Sequence, residues 1–107
     1  MTNLEELSLA ETRITDGGLV HLKNLKSLRI LDLDRTSVTD AGLVHLKGLT
    51  RLKKLAIGYT LVSDAGLVHV RNLTSLERID LLGSAVTDAG EHALRKGLTT
   101  LKPGWGE

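Results

Sequence analysis

The sequence predicts an α/β solenoid of about four repeats, with a curved parallel β-sheet inside and short helices outside. Three observations predict it. Leu4, Leu28, Leu52 and Leu76 recur every 24 residues, and a fixed period between roughly 20 and 50 residues marks a repeat architecture. Each unit opens on L-x-x-L-x-L, which ends in a strand's alternation. Each unit then carries a Thr/Ser-Asp pair followed by apolar residues at helical spacing, the pattern of a short helix with one buried stripe.

The units run 4–27, 28–51, 52–75 and 76–100, the last being one residue longer, and 101–107 begins a fifth as a C-terminal cap. Together they predict a single domain over 1–107. In the second unit Leu28, Leu31 and Leu33 form the strand. A turn follows with a hydroxyl at a fixed place, Thr12, Thr36, Thr60 or Ser84, and then an apolar residue, Ile14, Val38, Val62 or Val86. Thr39-Asp40-Ala41-Gly42 reads as a helix start, because hydroxyl and carboxylate oxygens accept the unpaired first-turn N–H groups and Asp suits the positive end of the helix dipole. Leu43, Leu46 and Leu49 line the buried side. The helix should end at Asn24, Gly48, Asn72 and, one residue later, Gly97, residue types that share a tolerance of positive φ.

Parallel strands lie about 4.8 Å apart and packed helices about 8–10 Å apart. Strands on one side and helices on the other therefore bend the stack, with the sheet on the concave side. No unit buries its own leucines, so neighbours are required.

The pattern L-x-x-L-x-L-x-x-T-x-V-T-D-A-G-L-x-x-L, in four aligned copies over residues 4 to about 101, resembles the leucine-rich-repeat family in its short bacterial form. It is also similar to the cysteine-containing repeats of F-box-type adaptors. The resemblance implies a protein-binding module that uses its concave face. The family often has Asn or Cys where this chain has Thr12, Thr36, Thr60 and Ser84, and there the side chain bonds the neighbouring turn. A hydroxyl donates and accepts, so a hydroxyl ladder is expected in its place.

Composition narrows the function. The chain has no Cys and no Phe, with Tyr59 and Trp105 its only aromatic residues, so the core is aliphatic and thiolate metal sites and disulfides are excluded. A formal net charge of +1 gives no electrostatic pull toward nucleic acid or an anionic membrane. A basic stripe with stacking aromatics is also missing from the sequence. The N-terminus lacks the basic flank and apolar run of a signal peptide, and no apolar run reaches membrane-span length. A cytoplasmic protein, or a fragment of something larger, is the simplest expectation.

The two ends differ. Glu91 replaces the leucine of Leu19, Leu43 and Leu67, Pro103 discourages further strand pairing, and Trp105 is placed to fold over the last rung. The first rung, with Leu4, Leu7 and Leu9, has nothing before it. Its strand offers an open edge, and each side chain left wet forfeits roughly 1.5–3 kcal/mol of burial. Truncation of a longer array, loose order in the first rung and end-to-end association of two copies are the open explanations.

Strand residues alternating away from the core differ in every unit, while Gly-Leu-Val-His recurs in the first three. The candidate partner-binding set on that varied face is Asp32, Asp34, Lys54, Tyr59, Arg78, Asp80 and Leu82. Leu61 lies beside Tyr59, and aromatic anchors of this kind dominate binding energy. Leu4, Leu7 and Leu9 are the candidates for self-association. His21, His45 and His69 repeat on the helix side, too far apart for one zinc. No Ser-His-carboxylate set, Walker spacing or dinucleotide fingerprint emerges, and Asp32 with Asp34 has no enclosing pocket for acid–base chemistry. The expectation is a non-enzymatic module without a cofactor, whose partner is another protein rather than nucleic acid or membrane. The alternative is a structural element assembling through its first rung. An enzyme accessory and an engineered scaffold are further readings.

Overall fold

The computed structural model describes residues 3–104, so the expectation for Trp105 lies outside the described residues. Four short strands, β1 (Glu6–Ser8), β2 (Ile30–Asp32), β3 (Lys54–Ala56) and β4 (Arg78–Asp80), form one parallel sheet in chain order. Leu7, Leu31, Leu55 and Ile79 stand opposite one another, so the sequence period is also the strand register. A fifth rung begins where the Lys102 amide donates to the Glu77 carbonyl at 2.7 Å. The solenoid measures 36 × 25 × 23 Å. Its core is aliphatic, with Leu28, Leu31, Leu33, Leu52, Leu55, Ile57 and Leu76 fully buried.

The outer side departs from the expected α-helices. α1 (Asp16–Leu19) is one turn that runs into a 3-10 turn at Val20–Leu22. Asp40–Leu46 is 3-10 throughout, and a 3-10 turn at Asp64–Gly66 leads into α2 (Leu67–Val70). Only α3 (Asp88–Gly97) is an α-helix of ordinary length. The spacing of the buried residues is compatible with tight turns. Leu19, Leu22 and Leu25 are three apart, as are Leu43, Leu46 and Leu49, which is the 3-10 period. In the last unit the extra residue places Leu94 and Leu98 four apart, and both are buried on an α-helical period.

The expected left-handed caps are a second correction. Asn24, Gly48, Asn72 and Gly97 do not have positive φ; Glu11, Arg35, Tyr59 and Gly83 do, at 60°, 60°, 51° and 76°. The outer segments end in further tight turns instead. The Leu25 amide bonds the Leu22 carbonyl and the Leu28 amide bonds that of Leu25, with the same pair of bonds at Leu49 and Leu52 and at Leu73 and Leu76. The chain thus returns to the sheet without reversing its handedness. The left-handed residue is needed at the other edge, where strand becomes turn.

The hydroxyl ladder is corrected as well. Thr12, Thr36, Thr60 and Ser84 donate to the carbonyl three residues back in their own turn, at 2.6–2.8 Å. They close each turn and do not bridge rungs. The bridge comes from the aspartate of the Thr/Ser-Asp pair. Asp40 accepts from the Ser63 amide at 2.7 Å and from its hydroxyl at 2.5 Å. Asp16 does the same for Thr39, and Asp64 for Thr87. This contact explains the glycine two residues after Asp40, Asp64 and Asp88. A Cβ on Gly42, Gly66 or Gly90 would stand 2.3, 2.5 or 2.0 Å from the carboxylate oxygen of Asp16, Asp40 or Asp64.

Candidate functional site

The alternation of the strands turns Ser8, Asp32, Ala56 and Asp80 to the side of the sheet opposite the core. Past the strand ends, Tyr59 donates its amide to the Leu82 carbonyl at 2.8 Å, and Arg35 donates to that of Gly58 at 2.9 Å. The turns are therefore stacked side by side. Their side chains make the largest apolar exposure among the described residues: Tyr59 is 46%, Leu61 66% and Leu82 67% exposed. Val68, on the outer side, is the fourth exposed apolar residue. The Tyr59 ring has two neighbours from adjoining turns. The Arg35 guanidinium lies 4.2 Å from its centroid, within cation–π range. The ring also lies so close to Gly83 that a Cβ there would stand 2.4 Å from Tyr59 Cδ1. Gly83 is thus required twice, by its positive φ and by this ring.

Beside the apolar ridge lies a carboxylate cluster. Asp34 Oδ1 accepts from the Gly58 amide at 2.7 Å, and Asp32 Oδ1 accepts from that of Asp34 at 3.0 Å. Asp80 Oδ1 accepts from the Leu82 amide at 3.1 Å. The oxygens of Asp34 and Asp80 converge over Gly58, lying 3.2 and 3.6 Å from where its Cβ would be. Burial pushes the Asp34 carboxyl above its usual range against the Gly58 N–H, and the charges of Asp80 and Asp32 push the same way. A raised folded-state pKa means that ionisation of Asp34 opposes folding as pH rises through that value. Asp34→Asn keeps an acceptor for the Gly58 amide. It is therefore expected to hold or slightly raise the melting temperature at pH 7, measured by circular dichroism; a fall of several degrees would mean that the charge itself holds the turn.

The other candidates are placed unequally. Lys54 is half-buried on β3 between Ile30 and Arg78. Arg78 is not on offer to a partner: it is 8% exposed, and its guanidinium donates to the Pro103 carbonyl of the segment crossing β4. Ala56 and Gly58 are buried and form a floor. Leu4, Leu7 and Leu9 are half-buried and pack on the core. Leu19 and Leu22 of the same rung are buried, because the outer turns pack on the next repeat. Arg35 escaped the sequence reading, since it falls in a turn at a position where every repeat differs. Among the described residues no cluster of His, Asp or Glu fits a metal ion, and no helix is long and apolar enough to cross a membrane.

The profile of the family described as Leucine Rich repeats (2 copies) matches residues 2–45. No curated protein matches the chain. Among solved structures it is similar to an internalin (inlF) from Listeria monocytogenes, with a TM-score of 0.62 at 19% identity. The likeness covers 100% of this chain and 36% of that one, so the chain spans about a third of its length.

Proposed function

We propose that this solenoid, whose residues 2–45 match the leucine-rich-repeat profile, is a non-catalytic module binding another protein through the concave face of its sheet. The observation that carries this reading is the ridge of Tyr59, Leu61 and Leu82 beside the aspartates 32, 34 and 80. Large apolar side chains clustered in the open, rimmed by charge, mark interaction sites. An aromatic ring already packed on a neighbouring guanidinium loses less freedom on binding than a free one. A cytoplasmic setting belongs to this proposal. The test is capture of the protein's partner by the chain and by the pair Tyr59→Ala and Leu82→Glu. Leu82 is mostly exposed, while Tyr59→Ala also removes the ring beside Arg35, so circular dichroism confirms that the variant is folded; affinity should fall at least about a hundredfold, the loss of two anchors. Unchanged capture would remove the ridge from the interface.

A second reading has its own observation. Leu4, Leu7 and Leu9 are half-buried and β1 pairs on one side only, so assembly through the first rung is the alternative. Light scattering at several concentrations separates the two: a concentration-dependent mass that Leu7→Glu abolishes would favour assembly.

A further inference from the structure

We propose that the edge where the outer turns return to the sheet is a second docking surface, and that it takes an acidic polypeptide segment. The near-zero net charge conceals a separation that only the fold reveals. The returning segments 23–30, 47–54, 71–78 and 95–102 hold 12 Lys or Arg residues against one Glu, and the first rung adds Glu5 and Glu6 at the same edge. The segments at the opposite edge, 8–16, 32–40, 56–64 and 80–88, hold eight Asp or Glu residues against two Arg. Lys23, Lys47 and Arg71 end the outer turns, where a cation suits the helix dipole. Lys26 and Arg51 lie past those ends, where the dipole gives them no reason to be basic. Among the described residues none of these five makes an ion pair, and all are exposed.

The edge is shaped as well as charged. One groove of about 220 Å³ has Lys23, Lys26, His45 and Lys47 on its walls and Val44 in its lining. The Lys26 ammonium lies 2.8 Å from where a Gly48 Cβ would be, so Gly48 lets it sit on the next rung beside Lys47. A second groove, of about 400 Å³, is lined by Ser27, Arg29, Arg51, Lys53, Ser75 and Glu5. Carboxylates already fit here. Glu5 stands 3.9 Å from Arg29, and Glu77 stands between Lys53 at 3.7 Å and Lys102 at 3.3 Å.

Lys23, Lys47 and Arg71 recur once per rung along the outer turns, about 8–10 Å apart, a spacing close to the roughly 7 Å between alternate side chains of an extended peptide. A nucleic acid fits less well, since no aromatic residue among those described lies on this edge for a base to stack on, and Glu5 and Glu77 would face its phosphates. The inference is independent of the concave-face reading, which concerns the other edge and the open sheet.

The test is fluorescence anisotropy with a labelled peptide of alternating Glu and Ser, about 12 residues long, enough when extended to run the 36 Å axis. Saturable binding is expected, weakening as salt rises from roughly 50 to 150 mM. Lys47→Glu with Arg51→Glu should weaken it at least about tenfold. Glu11→Lys on the opposite edge, and Leu82→Glu on the ridge, should leave it within about twofold. Circular dichroism checks that each variant is folded, and Lys26→Gln with Arg51→Gln, a milder pair, replaces one that is not. Absence of saturable binding, or equal binding by the folded variants of the basic edge, would overturn the proposal. So would tighter binding of a DNA duplex of equal length with the same losses, which would assign the edge to phosphate backbones.

Discussion

Leu55→Ala is expected to lower stability by about 2–5 kcal/mol, the range for emptying a fully buried leucine site. Leu55 has no exposed surface and lies between Leu31 and Ile79 in the middle of the sheet. In a linear array each rung touches only its neighbours, so a cavity there weakens two junctions and leaves no distant contacts to compensate. Domains of this size hold roughly 5–15 kcal/mol in all, so the loss is a large fraction of the total and the unfolding midpoint should fall clearly. Urea unfolding measures the effect. Leu61→Ala, at an exposed leucine in the next turn, should stay within about 0.5 kcal/mol. Equal losses at the two positions would mean that the sheet core is not what holds the array together.

Gly66→Ala should cost about 1–3 kcal/mol, although an alanine is ordinarily favoured over glycine in a helical segment. The backbone there has φ of −72°, which alanine adopts freely, so conformational strain is not the cause. The cost is contact: the new Cβ meets Asp40 Oδ1 at 2.5 Å and Leu43 Cδ1 at 3.1 Å. Asp40→Ala removes that obstacle but strands the Ser63 amide and hydroxyl, a loss of about 1–3 kcal/mol. The double variant should therefore lose less than the two single losses combined, and a double-mutant cycle reads that coupling. Gly97→Ala, with nothing within 4 Å of its Cβ, is the control and should be neutral or stabilising. Additive losses would show that Asp40 and Gly66 do not act as one joint.

Much of the architecture was legible because the repeat is written in the leucines. Leu7, Leu31, Leu55 and Ile79 align in sequence and pair in space. The turn chemistry was less legible. The left-handed position is filled by Glu11, Arg35, Tyr59 and Gly83, and three of those four carry no sign of it. The surrounding hydrogen bonds impose the conformation and the residue type does not. Asn24, Gly48 and Asn72 drew attention because their types suit positive φ, yet the outer turns end without it. The fixed Thr/Ser-Asp pair was visible as a helix start. Its larger role, binding the next rung, needed the 23-residue offset that only the stacked structure supplies.

At the candidate site, the exposed set was half readable. Tyr59 and Leu82 are exposed in turns past the strand ends, whereas Arg78 is covered by the segment 101–104, whose path no repeat rule gives. Arg35 joins the site through the Tyr59 ring, a contact across 24 residues that composition conceals. Charge was the least legible property. A total of +1 averages two opposed edges, and only folding separates them.

The central claim, that the ridge of Tyr59, Leu61 and Leu82 meets another protein, is tested most directly by site-specific photo-crosslinking in the source cells. A photoreactive residue is placed in turn at Leu82, at Leu7 on the first rung and at Val68 on the outer side, and the adducts are identified by mass spectrometry. The account predicts one dominant adduct at position 82, formed with a different protein and abolished by Tyr59→Ala. Adducts confined to position 7 and joining two copies of this chain, or adducts at 68 with none at 82, would contradict it.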